Sequence, residues 1–269
     1  MDLPRRRWID MTSRDFASAD AASWIAVLPI AAVEQHGPHL PLGTDGFISD
    51  GYLERALGLI PDELPVTFLP TQWIGSSEEH ADYPGTLSIP PEFLIAAWTA
   101  IGASVARAGV RKLVLINSHG GNSPVLDVVA RRLRAAHGML AVIASWRRFG
   151  HPDGVFTAQE IRHDIHAGRI ETSLMRAFRP GLVRMEQASD FQPNTVGMEQ
   201  EFSQLRAAHP AGFGWLTQDL HPSGAAGDAA SASVEAGQAS ADHGAHAFAE
   251  LLGDVARFPL GRLDTKPGW

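Results

Sequence analysis

The chain has no cysteine among its 269 residues. That absence excludes a disulfide framework, a thiolate metal site and a cysteine nucleophile, so any bound metal must be held by His, Asp and Glu. Positive charge is also scarce. Lys and Arg number 22 against 30 Asp and Glu, the formal charge is −8, and no basic run is longer than Arg5-Arg6-Arg7. A nucleic-acid partner is not expected. The longest apolar stretch, Trp24 to Val33, is ten residues with Pro29 inside it, about half of what a membrane helix needs. After the N-terminal arginines comes Trp8-Ile9-Asp10-Met11-Thr12, where a secretory signal would require an unbroken apolar core. A cytoplasmic protein with no membrane partner is the expectation. Nucleotide signatures are missing too: there is no Gly-x-Gly-x-x-Gly after a strand and no Gly-Lys-Ser/Thr phosphate loop.

What is present supports a folded core. Hydrophobic residues make up 45% and charged residues 19%, a balance typical of globular chains. At about 150 residues per domain the length fits one large α/β domain or two. With no internal repeat and no clear boundary, residues 1–269 read as one domain. Short apolar runs at Trp24 to Ile30, Val66 to Leu69, Lys112 to Ile116 and Met139 to Ala144 read as buried strands. Helical patterns lie between them, at Gly46 to Leu59, Pro91 to Ala108 and Pro124 to Ala136. Such alternation predicts βαβ units, a mainly parallel sheet and a three-layer α/β/α arrangement. Gly, Ala and Ser crowd Ser223 to Ser240, which by composition reads as a linker. Yet Asp228 to Leu252 lacks proline and carries helix formers, so a C-terminal helix entered through Pro222 to Gly227 is expected.

In an open parallel sheet, ligands bind beyond the carboxyl ends of the strands, and the residues able to do chemistry collect there. The first strand is followed by Glu34-Gln35-His36-Gly37-Pro38-His39-Leu40-Pro41-Leu42-Gly43-Thr44-Asp45. Glu34 and His36, two apart, share one side of an extended segment, and Asp45 returns at the start of the next helix. After the third strand, Asn117-Ser118-His119-Gly120-Gly121-Asn122 leads to Ser123-Pro124, read as an N-cap and first-turn pair. The paired glycines allow close backbone approach, and the helix N-terminus offers N–H groups to a developing anion. A further cluster, His166-Ala167-Gly168-Arg169-Ile170-Glu171, reads as a loop entering a helix. Glu171 is either a metal ligand or a first-turn acid facing the helix dipole. His39 either orients a ligand or packs on Pro38 and Pro41. The remaining histidines, at 137, 151, 163, 209, 221, 243 and 246, read as surface or core residues.

Charge favours two ions over one. Glu34, Asp45 and Glu171 carry three negative charges, and two divalent ions with one bridging hydroxide neutralise them. A carboxylate such as Asp45 can bridge ions about 3.5 Å apart, with that hydroxide as nucleophile.

These motifs together resemble the creatininase family of metal-dependent amidohydrolases. Leu28-Pro29-Ile30 through Asp45 is similar to its signature loop. Gly75-Ser76-Ser77-Glu78-Glu79-His80 with Tyr83-Pro84-Gly85-Thr86, then His119-Gly120-Gly121-Asn122, then His166-Ala167-Gly168 with Glu171-Thr172-Ser173, follow in the family's order. The resemblance runs from about residue 24 to 180, with a weaker likeness at Gly224 to Gly237. It implies an α/β/α fold, a homo-oligomer that is often a hexamer, and one or two zinc, manganese or iron ions. Carried over, it makes Glu34, His36, Asp45 and His119 the ligands, Asp45 bridging, and His166 the proton shuttle to the leaving nitrogen. One position departs: creatininase carries a glutamate ligand two residues after the motif histidine, where this chain has Gly121. Glu171 is the candidate to complete the second metal or to orient His166.

The expected function is therefore metal-dependent hydrolysis of a non-peptide C–N bond in a small cyclic amide or formamide. The alternatives are a peptidase or deformylase acting on a modified peptide or nucleotide, and a scaffold that only binds metal or ligand. His80, Gly120, Gly121 and Arg162 are the expected substrate contacts, Arg162 because four residues before His166 it would meet an anionic group. Trp73, Tyr83, Trp146 and Phe149 are further pocket candidates.

Overall fold

The computed structural model of the chain describes residues 3–17 and 19–264. Helix α1 (Ser13–Ala17) leads to strand β1 (Ile25–Ile30), and then α2 (Thr44–Leu57), β2 (Val66–Phe68), α3 (Pro91–Arg107), β3 (Lys112–Asn117), α4 (Ser123–His137) and β4 (Leu140–Ser145) alternate. The four strands form one parallel sheet in the order β2-β1-β3-β4. Its register sets Ile25 opposite Val66 and Lys112, and Asn117 opposite Ser145. Pro29 is compatible with this inner strand because its nitrogen faces the β2 side, where the ladder has already ended at Val27 and Phe68.

Strand side chains alternate between two cores, which makes the fold three-layered. Ala26, Leu28, Ile30, Leu113 and Leu115 pack with Trp98 and Val105 of α3 and Leu126, Val129 and Leu133 of α4. Ile25, Val27, Val114 and Ile116 pack the opposite way, against α2 and two later helices spanning Arg169–Phe178 and Val234–Arg257. Each fully buried Leu or Ile contributes about 1.5–3 kcal/mol. The later part of the chain comprises α5 (Ala158–His163), α6 (Arg169–Phe178), β5 (Asp190–Phe191), α7 (Thr195–Glu201), α8 (Thr217–Leu220), β6 (Gly227–Asp228) and α9 (Val234–Arg257). Among the described residues no helix is long and apolar enough to cross a membrane.

The helix ends differ from the sequence reading for local reasons. Helix α2 starts at Thr44 because Gly43 caps it and Asp45 falls in its first turn, where a carboxylate suits the helix dipole. Ser123 is not the cap of α4: it is the first helical residue, after a 3-10 turn at Gly120–Asn122. The Asn122 side chain is used elsewhere, accepting from the Ser76 N–H at 3.0 Å and donating to the Ala31 carbonyl at 3.0 Å. At the other end Gly138, φ 63°, closes α4 with its N–H on the Arg134 carbonyl.

The small-residue region is a helix, α9, rather than a linker. It begins at Val234, later than expected, because Gly227–Asp228 pairs antiparallel with Asp190–Phe191 and Ser233 then caps the helix through the Ala236 N–H. Its glycines serve packing. A Cβ at Gly237 would run into the Ser173 carbonyl of α6, and one at Gly244 would meet the Tyr52 ring of α2 at 2.5 Å.

Candidate metal and catalytic site

Strand β1 sits between β2 and β3, so the loops leaving β1 and β3 part on either side of a crevice at the strands' carboxyl ends. The chain after β1 brings Glu34 and His36 into that crevice, α2 brings Asp45, the β3 loop brings His119, and the entry to α6 brings His166 and Glu171. Glu34, His36, Asp45, His119 and His166 are all buried. Three overlapping donor sets form among them: Glu34 with Asp45 and His119, His36 with Asp45 and Glu171, and Glu34 with His36 and His166. In each, the donor atoms lie within 4.8 Å of one another.

Hydrogen bonds fix which ring nitrogens face inward. The His36 Nδ1–H donates to the Glu34 carbonyl at 3.0 Å, leaving Nε2 turned to Asp45 at 3.8 Å and Glu171 at 3.9 Å. The His119 Nε2–H donates to the Ser76 carbonyl at 2.8 Å, leaving Nδ1 3.1 Å from Glu34 Oε1 and 3.7 Å from Asp45 Oδ2. Both Glu34 oxygens, His36 Nε2 and Asp45 Oδ2 lack a hydrogen-bond partner among the described residues. Buried lone pairs converging without donors are costly unless a cation sits between them. The residues therefore fit a divalent metal centre built from borderline and hard donors.

The electrostatics also call for positive charge. Burial pushes the His36 imidazole down, but Asp45, Glu171 and Glu34 outweigh it and lift it to about 9. His119 is held well above its usual range because Glu34, Glu79 and Asp45 overcome the same burial penalty. Burial, with the charge of Glu34, raises Asp45 to about 7.

His166 is set differently. Its Nε2–H donates to the Gln35 carbonyl at 2.7 Å, and its free Nδ1 lies 3.8 Å from Glu34 Oε1. Burial and the neighbouring His36 push it down to about 4, so the ring is neutral with one inward lone pair. Glu171 Oε2 accepts from the Ala167 N–H at 2.6 Å. That N–H is presented by a strained residue: Ala167 has φ 52° and is the non-glycine residue with positive φ among those described. Such strain concentrates where a site must be held in shape.

His80, expected as a substrate contact, is positioned by Gln35. Gln35 Oε1 accepts from the Gly37 N–H at 2.9 Å and its amide donates to the Gly224 carbonyl at 2.8 Å, which fixes the amide's orientation. Its second N–H therefore points to His80 Nδ1 at 2.7 Å, and the proton of the neutral ring rests on Nε2, 3.3 Å from Glu34 Oε1. His80 therefore faces the Glu34 carboxylate without hydrogen-bonding to it. Sequence reasoning missed Gln35, Glu79 and Thr217. Thr217 Oγ1 donates to the Glu79 carbonyl at 2.8 Å, a link over 138 residues that no local pattern announces. Glu79 was visible inside the Ser76-to-His80 block.

Arg162 does not reach the cluster. Its side chain is 64% exposed and pairs with Glu199 at 2.7 Å, in a surface groove with Gln159, His163 and Gln200. Four residues before His166 is not one helical turn here, because α5 ends at His163. Trp146 is a core residue stacked on Tyr52 at 4.5 Å, and the half-buried Phe149 packs edge-on against it. Trp73 packs edge-on against Phe47, and the Tyr83 hydroxyl donates to the Pro222 carbonyl. His39 neither joins the cluster nor rests on its prolines alone: its Nε2 meets Thr172 Oγ1 of α6 at 2.8 Å and its ring stacks on Phe191. Gly120 faces open space, whereas Gly121 is covered by Glu79, His119 and Ser76.

Comparison with known proteins agrees with this architecture. The family model for creatininase, described as creatinine amidohydrolase, matches residues 9–252. A mycofactocin precursor peptide peptidase from Mycobacterium ulcerans (strain Agy99) is 31% identical over 250 residues, covering 89% of this chain and 88% of its own. The crystal structure of a creatinine amidohydrolase superposes with TM-score 0.76 at 26% identity, over 95% of this chain and 100% of that one. A mutant creatininase of the Zn-Zn type gives TM-score 0.73 at 25% identity, over 92% and 97%. The chain belongs to the creatininase family of hydrolases.

Proposed function

We propose that the protein is a metal-dependent amidohydrolase that cleaves the C–N bond of a short peptide. The observation that carries the reading is the pair of donor sets sharing Asp45, with a neutral imidazole beside them. Glu34 and His119 would hold one ion and His36 and Glu171 the other, with Asp45 between. Divalent ions there would polarise a carbonyl oxygen and make water acidic at neutral pH. His166, one nitrogen tied to the Gln35 carbonyl, is poised to take a proton at Nδ1 and return it to the leaving nitrogen. His80 lines the Glu34 carboxylate from the other side. The peptide substrate is favoured by the end-to-end likeness to a peptidase. A small cyclic amide or formamide is the second reading, favoured by the depth of the donors: Glu34, His36 and Asp45 are each 2% exposed or less.

The test is hydrolysis by zinc- or manganese-loaded protein, with products read by mass spectrometry. Release of an amine from short peptides is expected. Turnover of cyclic amides or formamides alone would replace the substrate, and undiminished turnover by metal-stripped protein in chelator would overturn the reading altogether.

A further inference from the structure

The two glycines after His119 are not equivalent. A Cβ at Gly120 would meet nothing within 4 Å, whereas one at Gly121 would lie 2.5 Å from Glu79 Oε1, 2.5 Å from His119 Nε2 and 2.6 Å from the Ser76 carbonyl. The space a side chain at 121 would need is already filled, by the Glu79 carboxylate together with the His119 ring and the Ser76 carbonyl. Glu79 stands on the 3-10 turn Glu78–His80, whose backbone is tied to Thr217 through the Glu79 carbonyl. From there Oε1 reaches to 3.3 Å from His119 Nε2, on the side of the ring away from Glu34 and Asp45.

We propose that Glu79 is a positioning residue for His119, and that Gly121 is glycine so that this carboxylate can sit behind the ring. The His119 Nε2–H donates to the Ser76 carbonyl, and Glu79 Oε1 lies 3.3 Å from the same nitrogen. A carbonyl alone fixes the ring's orientation. A carboxylate behind it adds negative charge, which makes Nδ1 a stronger donor toward the cluster, and partners of this kind are worth about 10–100-fold in metal affinity. A glutamate introduced at 121 would meet Glu79 rather than open space, so this chain takes its carboxylate beside His119 from the other side of the crevice.

The inference rests on the metal reading above, and cobalt binding separates the two. Cobalt(II) affinity, by competition with a chelator, and the cobalt absorption spectrum are compared for wild type, Glu79→Gln, Gly121→Ala and the exposed control Glu78→Gln. Glu79→Gln keeps the shape and removes the charge, and circular dichroism checks that each variant is folded. The expected result is an affinity about 10–100-fold weaker with a shifted spectrum for Glu79→Gln and Gly121→Ala, and no change for Glu78→Gln. The double variant Glu79→Gln/Gly121→Ala should be no weaker than the weaker single, because both remove one contact. Glu79→Gln with wild-type affinity and spectrum would overturn the role of Glu79 and leave the metal reading standing. Wild-type protein unable to bind cobalt at all would overturn both.

Discussion

His166 and Asp164 lie two residues apart and are perturbed in opposite directions, and each makes a separate prediction. His166 is buried, neutral and held through Nε2, so His166→Gln should lower kcat by about 10²–10⁴ while leaving metal content unchanged. Steady-state kinetics beside metal analysis would check this. Asp164 accepts from the Ile170 N–H at 3.0 Å with Oδ2, while Oδ1 is buried with no hydrogen-bond partner among the described residues. Burial lifts it to about 7 from 3.8. The folded state thus holds a proton that the unfolded state has lost, and stability is lost as pH rises from about 4 through about 7. Asp164→Asn should flatten that decline, read as urea midpoints at pH 5 and pH 8. At this scale the sequence was informative wherever a donor sits in a loop after a strand or at the entry or first turn of a helix. Glu34, His36, Asp45, His119, His166 and Glu171 all do, and the structure brings them together. It was uninformative for Arg162 and Gln35, because the partners that decide their roles, Glu199 and Gly224, are fixed only by the tertiary fold.

Among the elements, α6 and α9 form the seam that holds the site's far wall. Composition made the start of α9 look like a linker for the same reason that it packs well: glycine, alanine and serine let two helix backbones approach. Gly237→Ala should therefore cost about 1–3 kcal/mol, because its Cβ would meet the Ser173 carbonyl and push α6, which carries Glu171. Gly197 of α7 has open space around it, so Gly197→Ala should instead stabilise by about 0.5–1 kcal/mol. Thermal melts of the two variants should move in opposite directions. The strands and the early helices were legible because hydrophobic alternation around short apolar runs is a local signal. The two-residue strands β5 and β6 were not, since Asp190–Phe191 and Gly227–Asp228 have no pattern of their own and exist only as partners.

For the whole molecule, the order β2-β1-β3-β4 is what gathers loops distant in sequence into one crevice. Both Glu34 oxygens, His36 Nε2 and Asp45 Oδ2 find no hydrogen-bond partner among the described residues, so the account depends on a cation completing the site. The most direct measurement is metal content per chain of protein purified without added metal, together with amide hydrolysis, for wild type and Asp45→Asn. The account predicts about two divalent ions per chain, with both metal and turnover sharply reduced when the shared carboxylate becomes an amide. Metal-free protein that hydrolyses amides as fast as metal-loaded protein, or Asp45→Asn retaining both ions and full turnover, would contradict it.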